Sequence, residues 1–214
     1  MLTRQAQTAV TTALVPRARA PGTLLHVQDF VNTRDMEEGT DELARPDSLR
    51  GWLAGRGLLP VDAAVGTADV ARAAALREAL RTLLFAHHGE PADAGAIGAV
   101  NRAANEARLA PRFADAGGYR LEPGAPGVGG ALGWIVTAVS EAMDAGTWER
   151  LKACRNDACQ WAFYDSSRNH SGSWCRMAVC GNRMKVRAYR RRRREGGQRR
   201  PEPARPVRGP GSSA

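Results

Sequence analysis

The sequence predicts a mainly α, α+β protein: a helical N-terminal domain with room for a short hairpin, then a small four-cysteine module ending in a basic helix. Three observations predict it. Apolar residues recur at three-to-four spacing in several segments before residue 147, all four cysteines lie between Cys154 and Cys180, and the positive charge gathers after Cys180.

The 214 residues suffice for one domain with a real core and a small accessory module. A hydrophobic content of 43% and a charged content of 25% are ordinary for a globular chain. No window approaches the roughly 18 apolar residues of a membrane span. The apolar run in residues 1–21 is too weak for a secretory signal, so this segment reads as a flexible leader on a cytoplasmic protein.

From residue 22 to 147 the helical domain is laid out in order. Leu24, Leu25, Val27, Phe30 and Val31 fit either a short helix or a strand. Pro46 with Asp47 or Ser48 starts a helix with Leu49, Trp52 and Leu53 on one side, and Gly55 or Gly57 ends it. The clearest helix runs from a Thr67 cap through Val70, Ala73, Leu76, Leu80, Leu83 and Leu84 to a stop at Gly89. His87 and His88 at its end are expected to meet the helix C-terminus and solvent. "ADAGAIGAVNRAANEARL" is a weaker helix because of its glycines, and "RFADAGGYRLEP" is compatible with a hairpin. "GAPGVGG" reads as a loop, and a buried helix follows with Leu132, Ile135, Val136, Val139 and Met143 inward.

No Ser-His-Asp set, phosphate loop or carboxylate pair stands out, so there is no catalytic residue to name and no argument for an enzyme. The polar cluster in "HVQDFVNTRD" offers His26, Asp29, Asn32 and Arg34 as a speculative ligand-binding set. Capping and structural pairing are the competing roles for the same groups.

Residues 148–195 carry the informative chemistry. The spacing C-x(4)-C-x(15)-C-x(4)-C puts Cys154, Cys159, Cys175 and Cys180 in two symmetric pairs that can converge on one tetrahedral zinc. Two disulfides are the rival, disfavoured in a reducing compartment. A segment this short cannot bury enough surface to fold alone, and zinc offsets that deficit. Trp161, Phe163 and Trp174 would pack as a miniature core.

Charge is distributed unevenly: residues 1–149 sum to −4, residues 150–180 to +3 and residues 181–214 to +10, which recovers the total of +9. A helix starting at an Asn182 cap would align Arg183, Arg187, Arg190 and Arg194 in a stripe roughly 60° wide, at about 100° per residue. Val186 and Tyr189 would then dock on the aromatic mini-core. Residues 196–214 have the composition of a disordered basic tail.

"FYDSSRN" and "WCRMAVCGNRMKVRAYRRR" resemble the CGNR zinc finger proteins, named for Cys180, Gly181, Asn182 and Arg183. "DFVNTRD" and "DELARPDSLRGWLAGRGLL" are similar to the ABATE domain that accompanies that finger. Together these cover roughly residues 22–195, and the chain departs from the family's basic residues before the tryptophan with "HSGSW". The resemblance implies a bacterial, stress-induced transcription regulator, with zinc on Cys154, Cys159, Cys175 and Cys180 and a DNA-binding C-terminus. The expected phosphate contacts are Arg183, Lys185, Arg187, Arg190, Arg191 and Arg194. RNA is an alternative partner. The N-terminal domain would sense a small-molecule effector or mediate assembly, for example as a homodimer, and no membrane partner is expected.

Overall fold

Two helices form the spine of the protein, α3 (Thr67–Ala86) and α5 (Gly127–Asp144). The computed structural model describes residues 17–113 and 117–197. Most of the leader and the tail from residue 198 onward lie outside the described residues. α4 (Ala94–Glu106) packs on both α3 and α5, and α1 (Leu24–Val31) packs on them from another side. α2 (Pro46–Ala54) leans on α3.

The segment at Leu24 is a helix because Leu24, Val27, Phe30 and Val31, all buried, follow helical spacing. Ser48 and the Arg45 backbone bond each other at the start of α2. In α3 the cap is Gly66 and Thr67 is the first helical residue; Asp69 turns back to accept the Gly66 N–H at 2.8 Å. The weaker helix forms with Asp93 as cap, its carboxylate accepting the Ala96 N–H at 2.7 Å.

The hairpin is β3 (Leu109–Phe113) with β4 (Tyr119–Pro123), paired antiparallel. α5 begins at Gly127, so the expected loop "GAPGVGG" is partly helix. Its glycines serve close approach: a Cβ on Gly133 would sit 2.6 Å from the Ala107 Cβ, and one on Gly130 only 2.1 Å from the Ala125 carbonyl oxygen. Met143, expected inside, is exposed, while Leu132, Ile135, Val136 and Val139 are buried as expected.

A small pair unforeseen from the sequence, β1 (Arg34–Asp35) with β2 (Thr40–Asp41), holds a tight acidic turn. It is pinned from below. Arg77 of α3, with no exposed surface, grips Asp41 through two bonds of 2.7 Å and also reaches Thr33.

The cysteine segment is not a separate bead. A 3-10 turn at Trp148–Arg150 leads into β5 (Leu151–Ala153), which pairs with β6 (Ala162–Tyr164). Trp148, Leu151, Ala153 and Ala162 belong to the same buried cluster as α1, α3 and α5. Polar clamps finish the joint. Asn32 and the Ala162 backbone exchange bonds of 2.9 and 2.7 Å, and Gln28 donates to both Ala18 and Ala162 carbonyls. The Tyr164 N–H bonds the Ala18 carbonyl at 3.2 Å, so the described end of the segment read as a leader is held against β6.

Candidate metal centre and basic helix

Cys154 directly follows β5, and the chain turns back at Asn156, whose carbonyl accepts the N–H groups of Cys159 and Gln160 at 2.7 and 3.1 Å. The second pair is built alike: the Arg176 carbonyl gathers the N–H groups of Val179, Cys180 and Gly181 in a π-helical turn, Met177–Gly181. Each turn presents two sulfurs inward. The four Sγ atoms lie within 4.8 Å of one another and all four residues are buried.

The dimensions fit zinc. A tetrahedron of sulfurs at about 2.3 Å from the ion has edges of about 3.8 Å. Cys159 to Cys175 is 3.6 Å and Cys175 to Cys180 is 3.7 Å, far beyond a disulfide bond. Asp157 and His170 are outside this cluster.

Electrostatics point the same way. The Cys154 and Cys175 thiols are pushed up to about 12, each by the proton it shares with a neighbouring sulfur and then by burial. Cys159 also reaches about 12, its contact with Cys154 being outweighed by Cys175 and burial. Cys180 moves down: burial opposes ionisation, but the donors around its sulfur prevail, first among them the Asn156 amide at 3.6 Å. A divalent ion would supply the positive charge that four such sulfurs need in order to ionise together.

The surrounding shell is polar where it must hold a loop and apolar elsewhere. Phe163, Trp161 and Trp174 pack against the cysteines as the sequence led us to expect, and the Arg17 guanidinium lies 3.9 Å over the Trp161 ring. Lys152 and Asp165, both buried, pair at 3.0 Å, and Lys152 also donates to the His170 carbonyl. Burial would raise the Asp165 carboxyl, yet donors from Ser167, Lys152 and Gly172 bring it down to about 2. Gly172 leaves room for that carboxylate, which a Cβ there would meet at 2.8 Å.

Sequence reasoning missed Asn156, Lys152 and the α3 arginines. Arg81 donates to the Val31 carbonyl at 2.7 Å and to the Gln160 carbonyl of the first cysteine turn at 2.9 Å. His87 and His88 are half-buried at the helix end and turned onto β5. Their Nδ1 and Nε2 atoms bond the Leu151 and Ala153 carbonyls of β5, each at 2.7 Å. The motif was legible; these partners come from segments far apart in sequence.

α6 (Asn182–Gly197) leaves the second turn directly. Gly181 sits where a Cβ would meet the Met177 Sδ at 2.3 Å and Trp174 at 3.2 Å. Asn182 does not cap by accepting an N–H: the helix continues out of the π turn, whose Met177 and Val179 carbonyls take the Asn182 N–H, and its side-chain amide donates to the Ala178 carbonyl. Arg183, Lys185, Arg187, Arg190, Arg191 and Arg194 are all exposed. Arg183 pairs with Glu37 of the acidic turn between β1 and β2. Val186 and Tyr189 do not dock on the aromatic core: they are 47% and 55% exposed, and Met184 and Ala188 are the residues turned toward cover.

The four residues of the speculative ligand set go to different places. Asn32 clamps β6, and Asp29 lies between Arg19 and Arg56 at 3.4 and 3.8 Å. Arg34 is exposed on β1. His26 lines a cleft of about 220 Å³ with Leu58, Arg120, Trp134 and Glu141.

Among the described residues no helix is long and apolar enough to cross a membrane. Comparison with known proteins gives two matches. Residues 26–146 match the ABATE family, described as "Putative stress-induced transcription regulator", and residues 150–193 match the CGNR zinc finger. No curated protein matches the chain. With more than half its length in the first match and its buried sulfur tetrahedron in the second, the chain belongs to the ABATE family and carries a CGNR zinc finger.

Proposed function

We propose that the protein is a zinc-dependent DNA-binding transcription regulator in which Cys154, Cys159, Cys175 and Cys180 hold the ion. The observation that carries this reading is α6, a 16-residue helix with exposed guanidinium groups, rooted directly in the second cysteine turn. Bound zinc supplies the charge that keeps four clustered thiolates ionised. The protein residues do the rest: the cysteine turns fix the start of α6, and the helix presents cations to phosphates. Arg183, Lys185, Arg187, Arg190, Arg191 and Arg194 make those contacts, Arg183 by exchanging Glu37 for a phosphate.

This function is non-enzymatic, in keeping with the regulator and zinc-finger families matched. The helical body serves as sensor or assembly unit, and the cleft at His26 is the opening for a small-molecule effector.

A salt titration of the full chain on duplex DNA tests the reading. With about four of these six cations each neutralising a phosphate, the slope of log affinity against log salt is near −3.6. A slope near zero would sink it.

A further inference from the structure

The exposed face of α6 is not uniformly basic, and its pattern has directions. Counting about 100° per residue from Arg183, Met184 and Ala188, the half-buried pair, centre near 120°. Val186 and Tyr189 centre near 270°, so the apolar pair points about 150° away from the covered side. Cations flank it on both sides, Lys185 and Arg192 near 190° and Arg190 and Arg183 near 350°, and Arg193 falls near 280°, between the two apolar residues, with its guanidinium beside the Tyr189 ring. The expected arginine stripe of Arg183, Arg187, Arg190 and Arg194 is therefore the denser flank, Lys185 and Arg192 form the thinner one, and Val186 and Tyr189 lie between them.

We propose that α6 enters the major groove of duplex DNA with Val186 and Tyr189 facing the base edges and the flanking cations reaching the phosphates of both walls. This rests on the DNA-binding reading and adds which residues read the groove. Two exposed apolar side chains between rows of cations have no use for a polyanion that touches only phosphate. The groove supplies what they fit: it is about 12 Å wide, admits an α-helix, and shows the thymine methyl as its apolar feature. A second copy of α6 is the wrong occupant, since the cations on both flanks would face their own kind. Structured RNA is excluded on shape, because the A-form major groove is too deep and narrow for side chains to read. The Tyr189 ring, with the Arg193 guanidinium 5.9 Å from its centroid, stays half-exposed and able to reach a base.

The test separates charge from contact. Duplex sequences are selected for binding to the full zinc-loaded chain, and affinity is measured across salt for the wild type, Tyr189→Ala and Val186→Ala. Tyr189→Ala is expected to weaken binding about 5- to 100-fold at every salt concentration with the slope unchanged. Replacing thymine by uracil in the selected duplex should weaken the wild type, and weaken Val186→Ala less. Zinc content and thermal midpoint, unchanged in both variants, confirm that the fold is intact. Wild-type intercepts in both variants, or equal competition by structured RNA, would overturn the groove assignment while leaving salt-dependent binding in place. A wild type with no salt-dependent binding would instead remove the function on which it rests.

Discussion

Lys152 carries its charge at a position that is 2% exposed, beside an equally buried Asp165. Such a pair stabilises little over an apolar substitute, but losing one partner strands the other. Lys152→Met should therefore cost about 3–5 kcal/mol, because the Asp165 carboxylate keeps its backbone donors and loses its counter-charge. Chemical denaturation at neutral pH measures this, and the double variant Lys152→Met with Asp165→Leu should recover part of the loss. A single variant as stable as the wild type would show that the pair does not hold the loop to residue 172. At this scale the sequence was readable only where chemistry restricts neighbours. Four cysteines bound to one centre must come in spaced pairs, so their spacing betrays them. Lys152, Asn156, Arg77 and Arg81 look like ordinary surface residues in sequence, since polar types default to the outside and their partners lie on other segments.

Helix α3 and strand β5 meet through His87 and His88, and that joint should respond to acid. Both imidazoles sit below their ordinary value: burial pushes them down and outweighs the bonds to the Leu151 and Ala153 carbonyls. The unfolded chain therefore takes up protons near 6.5 that the folded chain refuses, so stability is full above that pH and falls as pH drops through it. His87→Asn with His88→Gln keeps a donor at each site without a titrating ring. The difference in stability between wild type and this double variant should move against the wild type between pH 7 and 5, a comparison in which acid loss of zinc is common to both. A constant difference would mean the rings titrate as they do in water. Elements with helical periodicity, α2 and α3, were legible, and the hairpin was legible from its Gly-Gly turn. The start of α5 was not, since Gly127–Gly130 signal a loop by propensity while the packed base of the hairpin selects a helix there. The outward turn of Val186 and Tyr189 was also hidden, because amphipathic spacing gives the width of a face but not which neighbour covers it.

Across the molecule, the two family matches fall on either side of residue 148, while one buried cluster runs through both. Trp148, Leu151, Ala153 and Ala162 complete the core of the body; Asn32, Gln28, His87 and His88 bond β5 and β6, and Arg81 bonds the first cysteine turn at Gln160. Removing the ion would release Cys154 next to Ala153 and Cys159 beside the Gln160 carbonyl that Arg81 grips, so the loss spreads into α1 and α3 rather than stopping at residue 148. A chelator strong enough to strip zinc should thus lower one shared melting transition instead of melting the finger alone. In a chain of this size about 1 kcal/mol moves the midpoint by about 2–4 °C, so losing even ~4 kcal/mol of metal-linked stability lowers it by about 8–16 °C. Calorimetry with and without the chelator, repeated on Arg81→Met, distinguishes the cases. A body transition that stays in place while a separate low one appears would mean the two parts fold independently. A shared transition whose response to chelator shrinks in Arg81→Met would identify that arginine as a carrier of the coupling.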